Sequence, residues 1–176
     1  MSGENLCLEK KIGSKLIFLL LMALSGTVLG IVGNVYFHEV GHYLVAKAYD
    51  LEPEMHFTTG NSDGGLFSII MSNEFKAFVR FNATKNQIQN LLVTSAGPLV
   101  NLFFSIVLAV LYFGVLRKLK KNKDLYVKKF WVFLMLDVVF VSFFIPSILS
   151  FVINMSLISG SDGTVIYSLI RQIFFS

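Results

Sequence analysis

Residues 16–42 read LIFLLLMALSGTVLGIVGNVYFHEVGH, a long apolar run that ends on a glutamate flanked by two histidines. No charged residue lies between Leu16 and Phe37. Because about 20 consecutive apolar residues suffice for a helix to cross the hydrocarbon core of a bilayer, we predict a first membrane-spanning helix over about residues 16–45.

The end of this run, His38-Glu39-Val40-Gly41-His42, matches the pattern H-E-x-x-H. Histidines four residues apart lie on one face of a helix, so both can offer an imidazole nitrogen to one zinc ion. The glutamate then lies beside the metal, where it can take a proton from water that zinc has made acidic. The motif predicts peptide-bond hydrolysis, with His38 and His42 as zinc ligands and Glu39 as the catalytic base.

The composition also indicates a membrane protein. The chain is 55% hydrophobic and 15% charged, whereas ordinary soluble domains are about 45–50% apolar. Cys7 is the only cysteine, which excludes an intramolecular disulfide and a cysteine-rich zinc site. The net charge of +4 does not indicate a nucleic-acid partner, because the basic residues cluster before the first span and between Arg117 and Lys129, as the positive-inside bias of membrane proteins predicts.

Two further segments, Leu91–Leu116 and Phe130–Asn154, contain a single charged residue between them, Asp137. They predict a second span over about residues 91–116 and a third over about residues 130–154. Gly26, Gly30 and Gly33 in the first span have the spacing that lets another helix approach closely.

The intervening loop, 51–90, is more polar. Turn-forming residues lie at 58–65. From Phe75 to Phe81 apolar residues alternate with Lys76 and Arg80, although Phe78 interrupts the polar side, and this pattern predicts a strand. The predicted fold class is an α-helical integral membrane protein of one domain, 1–176. At least three transmembrane helices and a small β-strand element between the first and second are expected. We therefore expect a multi-pass protein of the cell membrane. The apolar tail after Gly163 is expected to form an interfacial or packing helix.

A catalytic zinc site needs a third protein ligand, and the candidates are His56 and the acidic residues. With three spans of alternating direction, the end of the third span lies on the same side as the H-E-x-x-H motif. Asp162 follows that end, whereas Asp137 lies about 10 Å deep from the opposite side at about 1.5 Å per residue. Asp162 is therefore the predicted ligand. We expect Asp137 to make a buried polar contact between helices and His56 to be exposed in a polar loop.

The chain resembles the site-2 protease family, which consists of intramembrane zinc metalloproteases. The resemblance rests on three motifs: His38-Glu39-Val40-Gly41-His42, Ala96-Gly97-Pro98 with Asn101, and Asn154 with Asp162-Gly163. It implies that Asp162 completes the zinc site and that the substrate is a membrane-spanning helix. Asn154 is then expected to lie near substrate and steady the developing oxyanion. Asn101 is expected either to contact substrate or to hydrogen-bond across helices. The resemblance also implies strands beside the site, so the 66–81 region is expected to offer an edge to an unwound substrate segment. For Ala96-Gly97-Pro98 we expect close helix packing rather than direct chemistry.

Two alternatives remain open from the sequence. One is a catalytically inactive, protease-like membrane protein that binds zinc or a protein partner. Its only sequence support is Leu157, which stands where the family typically has proline. The other is a transport or structural subunit whose histidines hold no metal. The favoured reading requires Zn²⁺ as cofactor, with a membrane-protein substrate and the lipid bilayer as partners.

Overall fold

A computed structural model describes the backbone of residues 3–59 and 75–175 and the side chains of 13–56 and 77–175. Three helical segments are long and apolar enough to cross a membrane: Gly13–Ala48, Gln87–Lys120 and Phe130–Met155. A two-stranded antiparallel sheet lies between the first and second of them along the chain. The predicted fold class is confirmed. Thr58 and Thr59 were expected in a turn, and this was wrong, because both lie in a strand, Glu54–Thr59. The turn residues 60–65 and the first part of the 66–81 strand region lie outside the described residues.

The first helix, α1, covers Gly3–Ala48 and therefore extends beyond both ends of the predicted span. It ends where Asp50 adopts a φ of 54°, a left-handed conformation that closes many helices. The backbone N–H of Leu51 then donates to the Ala46 carbonyl at 3.0 Å, which satisfies one of the last helical acceptors. The H-E-x-x-H motif thus lies in regular helix, with its histidines one turn apart.

The sheet consists of β1, Glu54–Thr59, and β2, Phe75–Arg80, with Met55 opposite Val79. The strand expected from Phe75 is confirmed. His56 was expected in an exposed loop, and this prediction was wrong, because His56 lies in β1. There its half-buried imidazole stacks on Phe78 with ring centroids 5.2 Å apart and lies 3.3 Å from the Glu54 carboxylate.

The second crossing segment begins with α2, Gln87–Leu111, and continues through a π-helical stretch, Tyr112–Leu116, into the short α3, Arg117–Lys120. Its start is capped by Asn86, whose side-chain oxygen accepts from the Ile88 N–H at 3.0 Å. The short α4, Lys123–Lys128, leads to the third crossing segment, α5, Phe130–Met155. The tail forms α6, Asp162–Phe175, whose 14 residues are fewer than the about 20 that a crossing helix needs.

The chain divides into two compact units. One holds Met1–Val32 and Phe104–Ile148, and the other holds Gly33–Phe103 and Leu149–Ser176. The single domain expected from the sequence stays a prediction.

Within the first unit, two of the three spaced glycines make the expected close approach. A Cβ at Gly26 would lie 3.1 Å from the Ser142 Cβ, and one at Gly30 would collide with the Ser142 carbonyl oxygen. For Gly33 the expectation was wrong, since a Cβ there would have nothing described within 4 Å. Asp137 makes the predicted polar contact with another helix, because both of its oxygens lie 2.5 Å from the Lys120 ammonium. The expected burial was wrong, since the Asp137 and Lys120 side chains are 30% and 20% exposed.

Candidate metal centre

Three side chains of the second unit bring their ligand atoms together: His38 and His42 from α1, and Asp162 from the first turn of α6. The two Nε2 atoms lie 3.1 Å apart, and Asp162 Oδ2 lies 2.9 Å from His38 Nε2 and 3.3 Å from His42 Nε2. Tetrahedral zinc with bonds of about 2.0–2.1 Å separates its ligand atoms by about 3.3 Å. The triangle is therefore close to the size that one zinc ion requires.

The tautomer of His42 follows from its second ring nitrogen. Nδ1 lies 2.7 Å from the backbone oxygen of Val93 on α2, and both groups are buried. A carbonyl oxygen can only accept a hydrogen bond, so Nδ1 carries the ring proton. His42 Nε2 is left with a lone pair directed at the triangle, as a metal ligand needs.

The second ring nitrogen of His38 faces a side chain instead of a backbone carbonyl. Its Nδ1 lies 3.2 Å from the side-chain amide of Asn101, a residue of α2 with no exposed surface. The same amide reaches the hydroxyl of Ser150 on α5 at 2.7 Å. A buried polar network therefore lies directly behind the first histidine.

Asp162 supplies the negative charge of the group. Its Oδ2 is buried and, among the described residues, makes no hydrogen bond of good geometry despite its short distances to the two imidazoles. Burial by itself would raise the pKa of this carboxyl, but the neighbouring His38 and His42 outweigh it and lower the pKa to about 2. A buried, ionised oxygen aimed at two imidazole nitrogens is the arrangement expected of a metal ligand.

Glycines make room for this group. A Cβ at Gly97 of α2 would collide with His42 Nε2 and would lie 2.7 Å from His38 Cε1 and 2.8 Å from His38 Nε2. A Cβ at Gly41 would lie 2.8 Å from the Ala96 carbonyl oxygen. The close packing expected of Ala96-Gly97-Pro98 is confirmed. The sequence did not reveal that the packing partners of Gly97 are the histidine rings themselves.

The triangle forms part of the wall of a cavity of about 360 Å³. The buried Glu39 carboxylate also lines this cavity, between the two histidines, and it accepts a hydrogen bond from the backbone N–H of Val79 in β2. Asn154 lines it as well, with its amide directed to the Ser150 carbonyl at 3.0 Å. The cavity wall thus contains a buried carboxylate, the candidate metal site and part of β2.

The other candidates from the sequence lie elsewhere. Asn101 stands behind His38 rather than on the cavity wall, and neither His56 nor Asp137 belongs to the ligand group. Leu157, the departure from the family pattern, is 67% exposed in the connection between α5 and α6. Sequence reasoning missed Ser150 and the Val93 carbonyl, for which an apolar helix gives no signal.

A comparison with protein-family models matches residues 26–174, most of the chain, to Peptidase family M50. Neither the search of curated proteins nor that of solved structures gave a match. The matched range contains all three motifs and every residue of the candidate metal centre. This chain therefore belongs to Peptidase family M50, the site-2 protease family of membrane-embedded zinc metallopeptidases.

Proposed function

We propose that the chain is a zinc-dependent intramembrane endopeptidase that hydrolyses a peptide bond within or near a transmembrane segment of a substrate protein. One observation carries the proposal: His38, His42 and Asp162 converge on the wall of a cavity that also contains the Glu39 carboxylate. Membership of the M50 family supports the same chemistry. The three donors are of the kind that hold catalytic zinc while leaving a coordination position open.

Zinc bound by these residues would supply Lewis-acid chemistry, polarising a carbonyl and making water nucleophilic near neutral pH. Glu39 takes the proton from the attacking water and passes it to the leaving amine. Its carboxylate is 9% exposed and is oriented by the Val79 N–H, so it is held in one place before substrate arrives. Asp162 and the two histidines would hold the metal on the same wall.

The strand β2 provides a place for the substrate backbone. The Val79 N–H is directed to Glu39, so this edge of β2 faces the cavity rather than β1. An extended peptide can add to such an edge through main-chain hydrogen bonds. A helical substrate must unwind before it can pair in this way, because its own backbone groups are otherwise occupied. Asn154 also lines the cavity, and its amide, which donates to the Ser150 carbonyl, would turn to donate to the oxygen of the attacked carbonyl.

The test is zinc content and cleavage of labelled transmembrane-helix substrates by the full chain in liposomes. We expect the natural protein to hold one zinc and to cleave at least one substrate. Glu39→Gln should keep zinc and lose cleavage, because an amide cannot accept the proton. Asp162→Ala should lose zinc as well as activity. Ser147→Ala is a matched control, since Ser147 is a buried serine whose hydroxyl donates to the Phe143 carbonyl of its own helix.

Two results would overturn the proposal. Metal-free protein after purification and incubation with zinc would remove the metal centre on which it depends. Cleavage by Glu39→Gln at the natural rate would show that the base is another group.

A further inference from the structure

We infer that Asn101 is a positioning residue for His38. Asn101 orients the His38 ring so that Nε2 can bind metal, and in the metal-bound state the Asn101 side chain accepts a hydrogen bond from Nδ1. Ser150 holds the Asn101 amide in either of its two orientations. This inference rests on the proposed zinc site. It assigns Asn101 a role different from the substrate contact expected from the sequence.

The contacts form a continuous chain behind the metal centre. The Asn101 amide lies 3.2 Å from His38 Nδ1 and 2.7 Å from the Ser150 hydroxyl oxygen. The Asn154 amide donates to that same hydroxyl oxygen at 3.3 Å. Asn101 has no exposed surface, so substrate in the cavity cannot touch it. Asn101 contacts the candidate metal ligands at the His38 ring.

The proton on His38 must move for this ring to bind metal. In the structure the Asn101 Nδ2 faces His38 Nδ1. Because an amide nitrogen only donates, Nδ1 accepts and the ring proton lies on Nε2. His38 Nε2 faces Asp162 Oδ2 at 2.9 Å. A metal ligand needs the opposite tautomer, with a lone pair on Nε2 and the proton on Nδ1. Rotating the amide by half a turn brings its oxygen to Nδ1, and the oxygen accepts that proton.

The two histidines differ in what fixes their tautomers. His42 meets a backbone carbonyl, which can only accept, so its tautomer is fixed before metal arrives. His38 meets an amide, which can donate or accept, so its tautomer can follow the metal. A hydroxyl also has both capacities, and Ser150 can therefore accept from the amide nitrogen or donate to the amide oxygen. In either orientation the Asn101 atom that faces His38 also faces the Ser150 hydroxyl, so both contacts are kept when the amide turns.

The first experiment measures the zinc dissociation constant of the full chain in detergent micelles by competition with a chelator. Asn101→Leu, which has a similar shape but no polar atom, should bind zinc about 10- to 100-fold more weakly, the usual effect of removing such a partner. Asn101→Asp should bind nearly as tightly as the natural protein, because a carboxylate accepts the Nδ1 proton. Ser150→Ala should show a smaller loss of the same sign, and Ser147→Ala should show none.

A second readout separates positioning from packing. The chain contains three histidines, so isotope-labelled histidine gives an NMR spectrum in which each ring can be followed. In the natural protein, zinc should convert His38 to the tautomer protonated on Nδ1 while the tautomer of His42 stays the same. In Asn101→Leu the conversion should be incomplete at zinc concentrations that saturate the natural protein.

The results distinguish failure of this inference from failure of the proposed function. Folded Asn101→Leu that binds zinc as tightly as the natural protein overturns the inference and leaves the proposed function intact. Equal losses in Asn101→Asp and Asn101→Leu also overturn it, because they show that only packing matters. If Asn101→Leu does not fold, Ser150→Ala decides, and natural zinc affinity in that variant overturns the inference. A natural protein that binds no zinc defeats the proposed function first.

Discussion

Gly97→Ala should damage the metal centre through one added methyl group. The new Cβ would lie 2.7 Å from His38 Cε1 and 2.8 Å from His38 Nε2, whereas nonbonded atoms of this kind normally stay about 3.5–4.0 Å apart. The rings must therefore move by roughly 0.7–1 Å, several times the ±0.2 Å tolerance of metal–ligand distances. Overpacking of this kind typically costs about 1–3 kcal/mol. If the rings avoid the clash by moving out of the positions that bind zinc, this cost corresponds to a loss of about 5- to 150-fold in zinc affinity.

The assay is zinc affinity by chelator competition, with thermal unfolding of the same samples to confirm folding. Gly33→Ala is the control, because a Cβ there meets none of the described atoms within 4 Å and both glycines lie inside helices. It should leave zinc affinity unchanged and hold or raise the melting temperature, since alanine is favoured over glycine in a helix by roughly 0.5–1 kcal/mol. Gly97→Ala with one zinc bound at natural affinity would refute the reasoning.

Two further predictions concern β2 and the first unit. Val79→Pro removes the N–H that orients Glu39 and should lower the cleavage rate by about 100-fold while zinc stays bound; Val79→Ala keeps that N–H and should cleave nearly normally, so equal losses in both would contradict the assigned contact. Asp137→Asn leaves the Lys120 ammonium without its carboxylate and should destabilise the protein by about 1–3 kcal/mol in chemical unfolding. Adding Lys120→Met should recover most of that loss, and a double variant no more stable than Asp137→Asn would show that the pair is not coupled.

The features that the sequence predicts correctly depend on short-range patterns. Hydropathy over some 20 residues identifies a membrane-crossing helix whatever its packing partners are. The sequence therefore predicts all three spans, and only the positions of their ends differ from the structure. Strand β2 shows the period of two between Phe75 and Arg80. The position of Asp162 beside the two histidines follows from the direction of three spans, a topological argument that needs no contact to be known. Its role as a ligand stays a prediction.

The features that the sequence does not predict depend on how helices meet. Gly97 has the same signature whether it faces a lipid chain, another helix or an imidazole ring. Ser150 resembles any serine in an apolar helix, since such residues commonly bond to their own backbone. His56 was misplaced because β1 offers only Met55 and Phe57 as alternating apolar residues, too few to distinguish a strand from a loop.

One face of α2 explains why the second motif accompanies the other two. Val93, Gly97 and Asn101 are spaced by four residues, so they lie along a single stripe of that helix. The stripe meets the histidines at three successive levels: the Val93 carbonyl faces His42 Nδ1, Gly97 makes room for both rings, and the Asn101 amide faces His38 Nδ1. The histidines are themselves four residues apart on α1, so Val93 and Asn101 each face one histidine and Gly97 faces both. A fully buried asparagine is costly in an apolar helix unless it is paired. Its position on this stripe gives Asn101 that pairing, and the first and second motifs therefore form one structural unit.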